Sequence, residues 1–235
     1  MKKKAGKLFG VGVGPGDPEL ITVKAVRVIK EADIIFTAAS SKNTYSLAVE
    51  IASPYIAPAA RIEHLGFPMT KDTKEVEAAW IANAKQISAA MEQGLTAVFL
   101  TLGDPTTYST FGYILKKMKC IMPEADIETI PGITSFHAAS ARLNRILVEG
   151  EESLLVTSGA YGGDRIRQVK QVENVAIVKA YKNITDINMA LKDAGLHKKG
   201  VAVSKCGRKH EEIIDNLDDL ETRDPDYWTL ILASK

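Results

Sequence analysis

Cysteine is nearly absent from this chain of 235 residues, and its two copies, Cys120 and Cys206, stand far apart. No C-x-x-C occurs, so the sequence offers neither a disulfide framework nor a zinc knuckle. A reducing, cytoplasmic setting is expected. No run approaches the ~18 apolar residues of a membrane span. The opening MKKKAGKLFGVGVGPGD is basic, but glycine and proline break its apolar stretch at once, and no signal peptide is read there. Charge of one sign is missing as well: 30 Lys and Arg against 29 Asp and Glu leave a formal net charge of +1. That balance argues against nucleic-acid binding by bulk electrostatics. It leaves room for a local basic patch that meets an acidic small molecule. The four histidines, His64, His137, His197 and His210, form no i, i+4 pair, and no metal site is expected.

Glycine is plentiful, above all in GVGVGPGDPELITVKA at residues 10–25. A glycine-rich turn between a strand and a helix suggests dinucleotide binding. The G-x-G-x-x-G spacing nevertheless fails in every register, because the third glycine would fall on Pro15, Asp17 or Glu19. No G-x-x-x-x-G-K-[ST] occurs either. The ligand of this loop is not expected to be gripped by its phosphates.

Hydrophobic periodicity divides the chain in two. The first half alternates strands (KLFGVGV, DIIFTA, RIEHL, TAVFLTL, DIETI) with helices (ITVKAVRVIKEA capped by Thr22, YSLAVEIASPYI up to Pro54, KEVEAAWIANAKQISAAMEQG, residues 107–118, TSFHAASARL). The first helix would bury Val23, Ala25, Val26 and Ile29. The third would show a stripe of Val76, Ala79, Trp80, Ile87 and Met91 with a stop at Gly94. Such alternation implies a largely parallel sheet. Periodicity lapses at NRILVEGEES, which reads as a linker. Beyond it, LLVTS, NVAIVKAY, GVAVSKC and YWTLILAS read as strands, DRIRQVKQV and DINMALKDAG as helices. RKHEEIIDNLDDLE fits either. The expected architecture is two small α/β domains, 1–145 and 150–235, with mainly parallel and mixed sheets and a ligand cleft between them.

Three loops follow predicted strands of the first domain: GVGPGDPE, TLGDPTTY and IPGITSF. Ligands of open parallel sheets bind outside the carboxyl ends of strands. All three loops combine Gly with Pro, which exposes backbone N–H and C=O groups beside small hydroxyls (Thr106, Thr107, Thr134, Ser135). Such a site suits adenosine with an amino-acid tail better than a triphosphate. Gly-Asp-Pro and Pro-Gly are also ordinary turn dipeptides, so the loops alone indicate a small-molecule site and no chemistry.

VGVGPGDPELITVKA, TLGDPTTYSTF and IPGITSFHAASARL, in that order, resemble the tetrapyrrole (corrin and porphyrin) methylases over essentially the whole chain. GDPTTYSTF and PGITSFHAASARLNRILVEGEE are most similar to the branch that methylates C20 of precorrin-2 or cobalt-factor II in cobalamin synthesis. The resemblance implies a two-domain fold that is not a Rossmann fold, and S-adenosylmethionine as cofactor, with S-adenosylhomocysteine as its product. It implies cofactor contacts from Pro15 and Gly16, from Leu102, Gly103, Asp104 and Thr107, and from Thr134 and Ser135. Tyr181 and the turn at Lys205 or Cys206 would face the adenine. A cytoplasmic homodimer with a small-molecule tetrapyrrole substrate, and no nucleic-acid or membrane partner, is implied too. Thr106 and Thr107 stand where this branch carries larger apolar residues, His137 where it carries a small residue, and Asn144 where it carries glycine.

The implied reaction is attack of an electron-rich meso carbon on the sulfonium methyl, which requires alignment and a dry cavity but no protein nucleophile. His137 and Tyr108 are candidates to take the departing proton, and both would lie near the substrate. Peripheral carboxylates of the ring would meet Arg142, Arg145 or Lys42. The same fold can also methylate uroporphyrinogen III, another corrinoid position or diphthine. A non-catalytic corrinoid- or nucleotide-binding module would bind without turnover.

Overall fold

The computed structural model describes residues 5–39, 46–169 and 171–235, so Lys42 lies outside the described residues. The chain divides into two compact units, Met1–Thr134 and Ser135–Lys235.

The first unit is a five-stranded parallel sheet in the order β3-β2-β4-β1-β5. Its strands are β1 (Lys7–Gly12), β2 (Ile34–Ala39), β3 (Arg61–Gly66), β4 (Ala97–Thr101) and β5 (Asp126–Ile130). Between them run α1 (Val23–Lys30), α2 (Leu47–Ala52), α3 (Thr73–Glu92) and α4 (Phe111–Ile121). Every residue of β4 is buried, as a strand covered on both faces requires. Its Phe99 joins Phe36, Phe111, Ile87 and Met91 in the core.

Thr22 caps α1 by accepting from the Ala25 N–H at 3.3 Å. The buried face of α1 is Ala25, Val28 and Ile29, and Val23 is exposed, because a first-turn position points past the edge of the covered face. On α3 the inner residues Ile87 and Met91 are buried, whereas Trp80 is half-buried and stacks on Tyr113 of α4 at 4.0 Å. Gly94 ends the helix region with φ of +82°. The helix expected from residue 107 starts at Phe111 instead. The Ser109 hydroxyl, held by Thr101 at 2.8 Å, accepts from the Phe111 N–H and delays the first turn.

The second unit starts earlier than the expected linker. Its first helix, α5 (Ser135–Arg142), belongs with the second sheet because it packs on two of that sheet's strands. The sheet runs β6-β7-β10-β8-β9 and is mixed, with only β6 and β7 parallel. Its strands are β6 (Leu154–Ser158), β7 (Asn174–Val178), β8 (Val201–Ser204), β9 (Glu212–Ile214) and β10 (Thr229–Ser234). Helices α6 (Asp164–Gln168) and α7 (Ile184–Asp193) complete it around a core of Ile166, Ile177, Ile187, Leu191 and Ile231. The ambiguous RKHEEIIDNLDDLE is both strand and helix: β9 first, then a 3₁₀ turn at Leu217–Glu221. No described helix is long and apolar enough to cross a membrane.

Candidate functional site

Strand order places β1 between β4 and β5, so the three glycine-bearing loops leave the first sheet side by side at its carboxyl edge. They are joined through backbone. The Val13 N–H donates to the Thr101 carbonyl at 3.0 Å, the Gly103 N–H to Gly14 at 2.8 Å, and the Gly14 N–H back to Gly103 at 3.3 Å. A Cβ on Gly12 would lie 2.5 Å from the Gly103 oxygen and 2.8 Å from Gly132 Cα, and one on Gly132 would lie 2.2 Å from that same oxygen. The glycines are required because three backbones close on one another here, leaving no room for side chains. The first loop does not run straight into a helix N-terminus, as a pyrophosphate site needs. A 3₁₀ turn at Pro18–Leu20 and the Thr22 cap come first.

Asp104 is the polar fastener of this edge. One carboxylate oxygen accepts from the Thr106 N–H at 2.8 Å and from the Thr106 and Thr107 hydroxyls; the other accepts from the Gly132 N–H at 3.0 Å. Burial pushes the carboxyl up, but the Thr106 hydroxyl, the Gly132 and Thr106 N–H groups and the Thr107 hydroxyl outweigh it. The net result is a pKa below the ordinary carboxylate value. Four residues on, Tyr108 adopts φ of +50°, a conformation costly for a bulky residue, and its side chain is half exposed.

In the second unit, Tyr181, Lys205, Asp226, Thr229 and Arg223 are among the residues lining a groove of about 990 Å³. Lys205 has φ of +53°, and its ammonium lies 3.0 Å from Asp226. The following Cys206 is buried, and burial with the nearby Glu211 carboxylate pushes its thiol up to about 11. Glu211 braces the turn: it accepts from the Gly207 N–H at 2.7 Å and from Arg142 Nε at 2.6 Å. Arg145 donates to the Leu232 carbonyl at 3.3 Å and the Ser234 hydroxyl at 2.8 Å. Among the described residues no group of three or more His, Cys, Asp and Glu could hold a metal ion.

Residues 7–221 match the family model for Tetrapyrrole (Corrin/Porphyrin) Methylases. The chain belongs to this family. It is 33% identical over 232 residues to a cobalt-precorrin-2 C(20)-methyltransferase of Salmonella typhimurium, covering 98% of this chain and 97% of the relative. It is 34% identical over 236 residues to a probable cobalt-precorrin-2 C(20)-methyltransferase of Methanocaldococcus jannaschii, covering 100% and 99%. A solved uroporphyrin-III C-methyltransferase from Thermus thermophilus, complexed with S-adenosylhomocysteine, shares the fold with a TM-score of 0.70 at 19% identity, covering 98% of each chain.

In this tetrapyrrole methylase the structure gathers Pro15, Gly16, Leu102, Gly103, Asp104 and Thr107 on the carboxyl edge of the first sheet, with Thr134 at the end of the loop after β5. The Asp104 carboxylate is spent on its own and the neighbouring loop. Tyr181 and Lys205 line the groove of the second unit. The Cys206 side chain does not; it is buried beside Glu211. Ser135, His137 and Arg142 lie on α5, where the exposed His137 ring sits 4.6 Å from that of Phe136. Arg142 is committed to Glu211. Arg145, also expected to meet ligand carboxylates, has a half-buried guanidinium fastened to β10, where it donates to a strand-end carbonyl and hydroxyl. Glu211, Asp226 and Arg208 were missed. The density of charge in KCGRKHEE was the only signal for Glu211 and Arg208, Asp226 lies beyond that run, and charge density could not show which charges pair.

Proposed function

We propose that this tetrapyrrole methylase uses S-adenosylmethionine to methylate C20 of precorrin-2 or cobalt-factor II in cobalamin biosynthesis. The observation that carries the reading is similarity along nearly the full length of both partners to two relatives whose names specify C20 and cobalt-precorrin-2. Those names favour the cobalt-bearing ring as substrate.

The cofactor supplies an already activated methyl group, so alignment and exclusion of water are left to the protein. The residues present suit such a ligand. At the edge of the first sheet the Gly12, Gly103 and Gly132 backbones are in mutual contact, and the acidic side chain there is already satisfied. Pro15, Gly16, Leu102, Gly103, Thr107, Thr134 and Ser135 are proposed to hold the cofactor largely through main-chain groups. Asp104 acts by fixing the loops. Tyr181 and Lys205 are proposed to face the adenine, with the main chain of Cys206 beside them.

Tyr108 and His137 are proposed to lie near the ring, and both can exchange a proton. Arg142 takes part through Glu211, which sets the turn that carries Lys205. The working form is proposed to be a cytoplasmic homodimer.

Titration with S-adenosylhomocysteine and with NADH tests the cofactor half of this reading. Heat of binding is expected with the first alone, and binding of NADH alone would overturn it. Gain of one methyl by either ring in anaerobic assay with S-adenosylmethionine tests the substrate half.

A further inference from the structure

We propose that Arg208 binds a peripheral carboxylate of the tetrapyrrole substrate, a role that rests on the methylase reading above. Of the cations first expected in that role, Lys42 lies outside the described residues, and the other two have partners within the protein. Arg142 pairs with Glu211, and Arg145 is fastened to β10. Around the turn after β8, Lys205 pairs with Asp226 and Arg223 with Glu212. Arg208 takes part in no ion pair among the described residues. One of its terminal guanidinium nitrogens is shielded from solvent and makes no hydrogen bond. A shielded donor left without an acceptor is costly, and the cost is recovered when an acceptor arrives.

The surroundings define which acceptor fits. The guanidinium carbon lies over the Trp228 ring, 4.9 Å from its centre, so the indole is a cation–π partner for the group. A guanidinium carries its N–H donors as a planar fork, the geometry that receives a carboxylate through two parallel hydrogen bonds. The turn is held in shape before any ligand arrives. The Arg208 N–H donates to the Lys205 carbonyl at 3.0 Å, the Glu211 N–H to the Arg208 carbonyl at 3.1 Å, and the Lys205 N–H to the Trp228 carbonyl at 3.2 Å. Lys205 and His210, on either side of Arg208 in the chain, both line the groove of the second unit.

Nearby carboxylates are already committed: Glu211 to Arg142 and Gly207, Asp226 to Lys205 and the Trp228 N–H. A carboxylate could come from the ring or from the methionine end of the cofactor. The run KCGRKH is basic, which suits a polyanion. The cofactor carries a sulfonium and an ammonium beside its single carboxylate, and a cationic turn repels both.

The test uses the full-length protein and its Arg208→Gln and Arg208→Lys variants, with melting curves to verify folding. Affinity for cobalt-factor II is read from the absorbance of the ring, and affinity for S-adenosylhomocysteine by calorimetry. Arg208→Gln is expected to weaken ring binding about tenfold or more, as for loss of a charge-assisted hydrogen bond. Binding of S-adenosylhomocysteine should be unchanged. Arg208→Lys is expected to remain weakened, because an ammonium neither stacks nor forks in the same way, and it supplies the reading if the glutamine variant does not fold. Undiminished ring binding in the variants overturns the proposal, as does equal loss of both ligands. Selective loss of S-adenosylhomocysteine assigns the carboxylate to the cofactor and overturns it too. A wild-type protein that binds S-adenosylhomocysteine but no ring overturns the functional reading itself, and this assignment with it.

Discussion

The Asp104 carboxylate accepts the Gly132 N–H at 3.0 Å, and this single bond ties the loop after β4 to the loop after β5. Both loops also meet the backbone of the loop after β1. This edge of the first sheet is therefore one fastened object and not three independent turns. Its shape is set before a ligand arrives, which lowers the ordering cost of binding.

Replacing Asp104 by Asn keeps one acceptor oxygen and removes the other, so either Thr106 or Gly132 loses its partner. The expected cost is about 1–3 kcal/mol of stability at neutral pH, with weaker S-adenosylhomocysteine binding. The native carboxyl titrates below its ordinary value. Its contribution is thus complete above an unfolded pKa of about 3.9 and disappears as pH falls through the lower native value. Urea unfolding of both proteins across pH should show the gap between them closing on the acid side. A gap independent of pH would contradict this assignment.

Two glycines should respond in opposite ways to alanine. Gly132→Ala places a Cβ 2.2 Å from the Gly103 oxygen, and backbone cannot step aside cheaply. A loss of about 3 kcal/mol or more is expected, together with loss of S-adenosylhomocysteine binding. Gly112 sits in α4 with nothing within 4 Å of an added Cβ. Alanine there should stabilise by about 0.5–1 kcal/mol. Thermal melts of the two variants decide the matter, and similar behaviour would refute the close-approach argument.

Arg145→Ala removes the donors that serve Leu232 and Ser234. Stability should fall by about 1–3 kcal/mol while affinity for the ring stays as it was. Loss of ring affinity in a protein of normal stability would restore Arg145 to the binding site.

Much of this was legible from pattern. The buried runs of β1, β2 and β4 are apolar because both faces of a parallel sheet are covered. The Thr22 cap and the stop at Gly94 follow from local chemistry. The three loops could be assigned to one edge because their strands were recognised. What escaped depends on contacts distant in sequence. Spacing alone could not show that Gly12, Gly103 and Gly132 face one another, nor that Ser109 would hold back the start of α4. Arg142, Arg145 and Arg208 look alike as letters. Only Glu211, Ser234 and Trp228 at their tips distinguish a brace, an anchor and an unpaired fork.

The most direct test of the central claim is anaerobic incubation with S-adenosylmethionine carrying a ¹³C-labelled methyl group, in parallel with precorrin-2 and with cobalt-factor II. The product is then examined by mass spectrometry and carbon NMR. One labelled methyl at C20, formed faster on the cobalt-bearing ring, is the predicted result. A label at another carbon, or no transfer to either ring by a protein that binds S-adenosylhomocysteine, would contradict the account.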